Sequence, residues 1–154
     1  MTSDQPHFTD YDTRLASYAV ISRQRDGVTE VLLALWNEEE RKRWTLPGGG
    51  VELHETVERA VVREVLEETG YEVELGGLLG VETVVFPPHR RAGDSAGNRP
   101  LRAVRVFFAA HVVGGELANE VDGTTDEARW WPIDRVAALP HVSQVETALR
   151  HLGH

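Results

Sequence analysis

A run of chain-breaking residues followed by an uninterrupted helical segment is the feature that most constrains this chain. Residues 46–50 read Leu-Pro-Gly-Gly-Gly, a composition that predicts a turn or loop. Residues 56–69 then contain no glycine or proline and carry apolar residues at helical spacing, and Gly70 follows in the position of a helix C-cap. The sequence therefore predicts a loop, a helix over residues 56–69 and an abrupt helix end at Gly70.

The remaining segments alternate between strand-like and helix-like composition. Two β-branched, apolar segments flank a turn at Arg25-Asp26-Gly27 and predict a hairpin, and the first strand after the helix is one strand or two, with a break at Gly76-Gly77. The predicted strands cover residues 15–22, 31–36, 71–86, 101–113 and 128–131, and the further helices cover residues 133–138 and 142–152. With 154 residues and 41% hydrophobic content, the chain is expected to form one domain over residues 1–154.

Charge and cysteine content exclude several classes of function. The absence of cysteine rules out disulfides, thiolate metal sites and cysteine nucleophiles, so any metal must bind oxygen or imidazole ligands. The net charge of -9, from 25 acidic and 16 basic residues, argues against a surface that coats nucleic acid. Phosphate binding would therefore need a bridging cation or a local basic patch.

The N-terminal segment carries no sign of export or membrane insertion. Residues 1–12 are polar, and no stretch of the chain approaches the roughly 18 apolar residues of a membrane span. We therefore expect a soluble, cytoplasmic protein that does not bind membranes.

The predicted helix carries three carboxylates within one turn. At about 100° per residue, Glu64, Glu67 and Glu68 fall on one side of the helix. The opposite, apolar arc comprises Val61, Val62, Val65 and Leu66. Like charges at this spacing destabilise a helix by roughly 0.2 to 0.5 kcal/mol per pair, whereas Mg²⁺ or Mn²⁺ would take the carboxylate oxygens and bind phosphate oxygens as well. The cluster suits phosphate chemistry.

Ordinary ion pairs offer another explanation of the same acidic residues. Arg63 stands four residues before Glu67, and Glu55 stands four before Arg59, so helical pairs on a solvated face account for part of the pattern. The helix alone leaves both interpretations open. The spacing of the surrounding residues decides between them.

That spacing matches a known motif. From Gly49 the chain reads Gly, five residues, Glu55, seven residues and then Arg-Glu-Val-Leu-Glu-Glu-Thr-Gly over residues 63–70. The pattern resembles the Nudix box, G-x5-E-x7-R-E-U-x-E-E-x-G-U, at every fixed letter, whereas Tyr71 departs from the usual aliphatic residue at the last position. The flanking segments that also resemble the family are residues 44–52 and 127–134.

The resemblance implies both a fold and an activity. Nudix domains are α/β proteins in which helices enclose a mixed sheet, an α/β/α sandwich, and the box over residues 49–71 forms a loop, a helix and a second loop. The family resemblance implies a hydrolase that uses Mg²⁺, or Mn²⁺ in its place, to cleave the diphosphate linkage of a nucleoside-diphosphate-linked small molecule. Nucleoside triphosphates and ADP-ribose-like compounds both fit this description.

The resemblance also assigns roles to residues of the box. It implies that Glu64, Glu67 and Glu68 bind the metal together with the carbonyl oxygen of Gly48. It further implies that Arg63 and Glu55 orient this cluster, so the expected catalytic residues are Glu64, Glu67 and Arg63, with Glu64 acting as a metal ligand or as the base. A downstream acidic residue often joins the site in this family, and the candidates are Glu116, Glu120, Asp122, Asp126 and Glu127.

Other residues outside the box are also candidates. The proline-, glycine- and arginine-rich loop over residues 87–100 has the length of a functional or mobile loop. The basic residues in and after it are His89, Arg90, Arg91, Arg99, Arg102 and Arg105. Of these, Arg90, Arg91 and Arg102 are candidates to contact phosphate or ribose, and a solvated loop is the alternative. Trp130 and Trp131 point to opposite sides of a strand, so one can pack in the core while the other stacks on a base or covers a homodimer surface.

One rival function belongs to a different class. A catalytically silent Nudix-fold module would bind a nucleotide as a sensor or regulator, but such modules typically lose box carboxylates that this chain keeps. Pro87 and Pro88 lie slightly further beyond Gly70 than the proline associated with ADP-ribose cleavage, so they are weak support for that substrate. The related isopentenyl isomerases rely on a cysteine that this chain lacks.

Overall fold

The computed structural model describes residues 4–91 and 97–154. Residues 1–3 of the polar N-terminal segment and residues 92–96 of the predicted loop lie outside this range. The elements in chain order are β1 (Asp12–Arg25), β2 (Val28–Trp36), β3 (Arg43–Thr45), β4 (Gly48–Gly50), α1 (Val57–Thr69), β5 (Tyr71–Phe86), β6 (Leu101–Gly115), β7 (Thr125–Pro132), α2 (Ile133–Val136) and α3 (Ser143–His151). A single 3-10 turn, Pro88–Arg90, follows β5. No helix in these ranges is long and apolar enough to cross a membrane.

The strands form one mixed sheet with β1 at its centre. Its main path runs in the order β3-β2-β1-β6-β5, while β4 pairs with β1 and β7 pairs with β2. The β1 and β6 strands are parallel, and the other pairings are antiparallel. Because β1 pairs with β6 and β4 along its first part and with β2 at its end, this strand connects the glycine segment to the rest of the sheet.

The core lies on both faces of the sheet. On one face, Val61 and Val65 of α1 are fully buried against Ile21 and Phe108. On the other face, α2 and α3 pack against a second cluster that contains Phe107. Each fully buried aliphatic or aromatic side chain contributes roughly 1.5 to 3 kcal/mol relative to an exposed one. The burial of Val61 and Val65 therefore holds α1 against the first face of the sheet.

Helix α1 begins and ends where the sequence predicts. Thr56 is the N-cap, and its hydroxyl accepts a hydrogen bond from the Arg59 amide at 3.2 Å. Gly70 is the C-cap in the left-handed region, with φ 78°. Its amide donates to the carbonyl of Leu66 at 3.0 Å. These two caps position the carboxylates of α1 relative to the strands on either side.

The structure corrects two expectations about this region. The predicted breaker segment contains β4, which pairs with Ala16, Ser17 and Tyr18 of β1 in antiparallel register. Glycine suits this strand because the Glu64 carboxylate lies where a side chain would stand, and a Cβ on Gly49 would come 2.8 Å from it. Leu66 was expected in the apolar arc but is 48% exposed, because the sheet covers α1 only along its Val61 and Val65 side.

The short strand β3 was not predicted, and the other elements agree with the predictions in kind and differ in length. The predicted strand with a break at Gly76-Gly77 is one continuous strand, β5, whose register with β6 shifts between Glu72 and Gly80. Several strands extend beyond their predicted ends, and α2 is shorter than predicted. Bulges absorb the extra residues of β5 without ending the strand.

Candidate active site

A bidentate ion pair joins the loop before α1 to the middle of that helix. Arg63 donates from Nε to Oε2 of Glu55 at 2.7 Å and from Nη2 to Oε1 at 2.8 Å. Arg63 also donates to the Gly50 carbonyl at 3.3 Å, so one guanidinium connects the helix, the loop and β4. Glu55 therefore pairs with Arg63 across the loop, and the predicted helical pair with Arg59 is wrong because Glu55 precedes the N-cap Thr56.

This pairing holds both partners in their charged forms. The hydrogen bonds from Arg63, followed by one from the Glu52 amide, lower the pKa of Glu55 to about 2. The same hydrogen bonds raise the pKa of Arg63 above its already high usual value. Both groups are therefore ionised at neutral pH, and their geometry is held by strong charge-assisted contacts.

Glu64 stands next to the glycine strand. Its carboxylate lies against Gly49 in the space that any larger residue would need. The side chain is 17% exposed and accepts a hydrogen bond from Nη1 of Arg63 at 3.2 Å. Burial raises the pKa of Glu64, and Arg63 partly offsets this effect.

Glu68 is a buried carboxyl group at the end of α1. The residue is 2% exposed, and its Oε2 accepts a hydrogen bond from the Gly48 amide at 3.3 Å. Burial first, and then the charge of Glu64, raise the pKa of Glu68 well above its usual value. The charge of Glu120 acts in the same direction. The charges that act on Glu68 are therefore both negative, whereas Arg63 contacts Glu64.

Glu67 occupies the solvent side of the same helical turn. Its side chain is 49% exposed and accepts hydrogen bonds from Nη1 of Arg63 at 3.3 and 3.4 Å. The predicted helical pair between Arg63 and Glu67 is thus present beside the Glu55 pair. The three helix carboxylates range from buried Glu68 through Glu64 to exposed Glu67.

The residue types at this site fit a hard divalent cation. Two carboxyl groups, Glu64 and Glu68, lie beside Gly49 and Gly48, and a cation with oxygen preference would compensate the charge that burial disfavours there. No three His, Asp or Glu side chains within residues 4–91 and 97–154 already stand as a complete set of metal ligands. A cation would therefore need to draw the exposed Glu67 side chain, a backbone carbonyl or substrate oxygens into its shell.

The downstream acidic residues have different environments. Glu120 lies close enough to Glu68 for its charge to raise the pKa of that residue. The Glu120 carboxylate is held by the Thr125 amide at 3.1 Å and the Thr125 hydroxyl at 2.8 Å. Asp126 instead pairs with Lys42 and accepts a hydrogen bond from Asn37 at 2.6 Å. The structure thus brings Glu120 toward the carboxylate cluster, while Asp126 is engaged elsewhere.

The remaining downstream candidates stay outside the described contacts of the cluster. Asp122 adopts a left-handed backbone with φ 56° in the turn before β7. Glu116 contributes its backbone carbonyl, which stands against Gly70. No contact with Glu64 or Glu68 is recorded for Glu127 in the described part of the chain. Sequence alone offered no means to rank these five acids, because the loop that folds back over α1 has no periodic pattern.

Three of the basic residues after β5 contact residues near the start of β1. Arg91 donates to Asp12 at 2.7 Å and to the Arg99 carbonyl at 2.9 Å. Arg99 donates to Asp12 at 2.9 Å, and Arg102 stacks over Tyr11 with 5.0 Å from its guanidinium carbon to the ring centroid. Arg90 is exposed at the end of the 3-10 turn. These contacts tie the two ends of the loop to the start of β1, and a role of Arg90, Arg91 or Arg102 toward substrate stays a prediction.

The two tryptophans lie on opposite faces, as their alternation predicts. Trp131 packs edge-on against Trp44, with ring centroids 5.2 Å apart. Trp130 donates from Nε1 to the Tyr71 hydroxyl at 3.1 Å, and Arg23 stacks on its ring. Both side chains are half-buried. Tyr71, the residue that departs from the box pattern, therefore contributes a hydrogen bond that an aliphatic residue would not make.

Sequence reasoning missed one anchor of the site. Ser17 is fully buried in β1, and its hydroxyl donates to the carbonyl of Val57 at 2.9 Å. This bond fixes the first turn of α1 to the strand that also pairs with Gly49. A single serine in an apolar strand gives no signal of such a contact, because the contact joins residues 40 positions apart.

Known proteins share the sequence pattern and the fold of this chain. The sequence matches the NUDIX domain over residues 12–152. It is 39% identical to an ADP-ribose pyrophosphatase of Methanocaldococcus jannaschii over 119 residues, which are 74% of this chain and 63% of that protein. The chain thus spans less than two thirds of the length of this relative, and smaller shares of others.

Solved structures show the same fold. The crystal structure of a MutT Nudix hydrolase from Burkholderia pseudomallei matches with a TM-score of 0.68 and 30% identity, covering 90% of this chain and 97% of that one. The NUDIX domain of Shewanella oneidensis NrtR, crystallised with ADP ribose, matches with a TM-score of 0.66 and 22% identity, covering 99% of both chains. These matches confirm the predicted α/β fold with a mixed sheet and helices on its faces. The chain belongs to the Nudix family, whose members are generally metal-dependent pyrophosphohydrolases that act on nucleotide-type substrates.

Proposed function

We propose that this protein is a Mg²⁺-dependent pyrophosphohydrolase that cleaves the diphosphate linkage of a nucleoside-diphosphate-linked small molecule. The observation that carries the proposal is the buried Glu68 carboxyl group beside Glu64, with a raised pKa and an acidic neighbour in Glu120. A fold that buries acidic groups together loses stability unless a cation compensates their charge. Binding of a divalent cation with substrate phosphates explains why the chain keeps this arrangement.

Some residues of the site would bind the metal, and others would orient those metal ligands. Glu64, Glu67, Glu68 and the carbonyl of Gly48 would hold the metal, and Mn²⁺ would serve as a substitute. When bound, the metal polarises the diphosphate oxygens and lowers the pKa of a water molecule, so that the water can attack phosphorus. Arg63 orients Glu64 through the 3.2 Å contact and is itself held by Glu55.

Removal of the proton from the attacking water falls to a carboxylate of the site. Glu64 suits this role because its pKa is raised by burial, which makes it a better proton acceptor than an ordinary surface glutamate. Glu120 is the downstream acid that we favour as an additional ligand or base, since it is the member of the five that lies near Glu68. The attack breaks one phosphoanhydride bond and transfers the elements of water across it.

Two similar proteins narrow the range of substrates that we propose for this chain. The relative from Methanocaldococcus jannaschii is named an ADP-ribose pyrophosphatase, and a Nudix domain of similar fold was crystallised with ADP ribose. We therefore place ADP-ribose-like compounds first and nucleoside triphosphates second. The net charge of -9 repels free phosphates of either class at long range, so binding would need a bridging cation or a local basic patch.

A substrate screen tests the proposal. The protein would be incubated with nucleoside triphosphates, ADP-ribose, dinucleoside polyphosphates, NADH and coenzyme A, with Mg²⁺ or with a chelator, and the products would be separated and identified by chromatography. We expect Mg²⁺-dependent cleavage of at least one compound and no cleavage with the chelator. Tight binding of a nucleotide without turnover of any compound would instead identify a catalytically silent binding module.

A further inference from the structure

Arg14 lies beside the glycine strand β4, on the face opposite Glu64. A Cβ on Gly49 would come 2.8 Å from the Glu64 carboxylate, whereas a Cβ on Gly50 would come 3.3 Å from Nη2 of Arg14 and 3.7 Å from its Cζ. Successive residues of a strand point to opposite faces, and their Cα atoms are about 3.8 Å apart. β4 therefore carries a carboxylate on one face and a guanidinium on the other, one residue apart along the strand.

The fold leaves this guanidinium without an internal partner. Arg14 is exposed, and the part of the chain that the structure describes gives its guanidinium no hydrogen-bond, ion-pair or aromatic partner. Asp12 stands two residues earlier on the same side of β1, but its carboxylate is held by Arg91 at 2.7 Å and by Arg99 at 2.9 Å. The acid that β1 places next to Arg14 is thus already compensated by two other cations.

The neighbouring strands bring no free acid to this position. Ala103 is the register partner of Arg14 on β6, and Val84 is the partner of Ala103 on β5. Glu82, two residues before Val84, pairs with Arg105 at 3.3 Å. The chain contains 25 acidic residues, and in the described ranges none of them pairs with Arg14. Its donors are therefore available to an anion from solution.

The free edge of β4 connects the two faces. In the described ranges β4 pairs with β1 and with no other strand. At its other edge the Gly48 amide donates to Glu68 at 3.3 Å, and the Gly50 carbonyl accepts from Arg63 at 3.3 Å. Gly50 therefore lies between Arg63, whose contacts belong to the carboxylate cluster, and Arg14, which has no such contact. The cluster extends around this edge to the residue that Arg14 covers.

We propose that Arg14 binds a phosphate group of the substrate on the face of β4 opposite Glu64. The inference rests on the proposed function, which brings a diphosphate to this strand. A guanidinium presents its N–H donors in a planar fork that matches two phosphate oxygens. In a chain of net charge -9, it supplies the local positive charge that phosphate binding needs beside a metal. A contact made equally to substrate and transition state strengthens binding and leaves turnover unchanged.

Titration calorimetry with inorganic pyrophosphate in Mg²⁺ buffer tests this contact without any turnover. Arg14→Gln should weaken pyrophosphate binding by about 10 to 100-fold, because it removes charge-assisted hydrogen bonds. Arg14→Lys should recover part of the affinity, since it keeps the charge without the fork. The matched control is Arg25→Gln, an exposed arginine at the other end of β1, which should bind like wild type. Equal affinities of wild type and Arg14→Gln, or no binding by wild type, would overturn the proposal.

Kinetics separate this contact from the hydrolytic activity itself. On the best substrate of the screen, Arg14→Gln should raise KM by a similar factor with kcat little changed. A fall in kcat with KM unchanged would overturn the proposal. Cleavage of a substrate together with unaltered pyrophosphate binding by Arg14→Gln would overturn the role of Arg14 alone. Binding of pyrophosphate that depends on Arg14, without cleavage of any compound, would support the phosphate contact and refute the proposed hydrolase. Circular dichroism would establish that each variant is folded.

Discussion

The acidic residues at the two ends of the α1 region contrast sharply. Glu55, in the loop just before the helix, has a pKa lowered to about 2 by the bidentate contact with Arg63. Glu68, near the other end, has a pKa raised well above its usual value by burial and by Glu64. The Glu55 side chain is itself only 13% exposed, so reduced solvent access alone does not separate the two.

The supply of positive charge explains the difference. Arg63 makes a bidentate contact with Glu55 and a single contact with Glu64, whereas the charges that act on Glu68 are the negative ones of Glu64 and Glu120. One end is complete within the chain, whereas the other has a use for a cation from solution. Substitutions that change one end at a time test this difference between the two ends.

Loss of a carboxylate near Glu64 and Glu68 should reduce the hydrolysis rate more than any other change. Glu67 is half-exposed and faces away from the buried side of α1, so Glu67→Gln keeps size and helix propensity while it removes the charge. We expect hydrolysis to fall by at least about 10²-fold, because loss of groups that merely support metal ligands already costs 10 to 100-fold. Steady-state kinetics on the best substrate of the screen would measure this.

Arg102→Gln is the control for that variant. Arg102 stacks on Tyr11 in the basic region and should affect substrate affinity at most, with turnover largely intact. The metal-free melting temperature of Glu67→Gln should change little, since the lost ion pair with Arg63 and the lost repulsion of Glu64 offset each other. Wild-type rates for Glu67→Gln on every compound would show that the carboxylate cluster is not the active site.

Change at the complete end should have a smaller effect on rate. Glu55→Gln removes the charge that holds Arg63, so Arg63 would orient Glu64 less firmly. We expect a loss of about 10 to 100-fold in kcat with KM little changed. Glu55→Asp should recover part of the rate if orientation through Arg63 is the reason. Equal losses for Gln and Asp would show that retaining the charge at position 55 does not restore activity, which would contradict a role through charge-based orientation of Arg63.

Metal should stabilise the folded protein through the incomplete end. A ligand that binds only the folded state at one hundred times its Kd adds about 2.7 kcal/mol to the free energy of unfolding. Thermal melts with and without millimolar Mg²⁺ should show an increase of several degrees in wild type. The Glu64→Gln, Glu68→Gln double variant should lose this increase, and a wild type that melts at the same temperature with and without metal would contradict the assignment.

The pH dependence of metal-free stability should have opposite signs at the two ends. A raised pKa at Glu68 favours the protonated form, so its contribution to stability is present below the ordinary pKa and is lost as pH rises through the folded value. A lowered pKa at Glu55 contributes stability that is lost as pH falls from the ordinary 4.5 toward about 2. With a chelator present, the melting temperature of wild type relative to Glu68→Gln should therefore fall as pH rises above 4.5. A rise over that range would contradict the protonated Glu68.

The helix was predictable from local sequence, and its environment was not. Thr56 and Gly70 mark the ends of α1 because capping depends on residues within one turn. A helical projection also places Glu68 with the other carboxylates. It gives the direction of each side chain around the helix axis, but it does not give the burial of that side chain. The burial of Glu68 arises from β4 and the Glu120 loop, which are distant in sequence.

Non-local contacts explain the other differences from the sequence predictions. The Glu55 to Arg63 pair spans the loop before α1, so no helical spacing predicts it. The pairing of Gly48–Gly50 with β1 depends on the Glu64 carboxylate filling the space beside Gly49. The family motif supplied the identities of these residues, and the fold supplies the reason that each must be what it is.

The parallel pairing of β1 with β6 has a consequence for biosynthesis. As the chain emerges from the ribosome, β1 and β2 can form their hairpin early, but β6 begins only at Leu101. Until β6 has been synthesised, the apolar side chains of β1 lack the neighbours that they have in the folded sheet. Contacts of such long sequence separation also form slowly. Nascent molecules are thus exposed to aggregation from the synthesis of β1 until that of β6, and slower translation of the segment before Leu101 would lengthen that exposure.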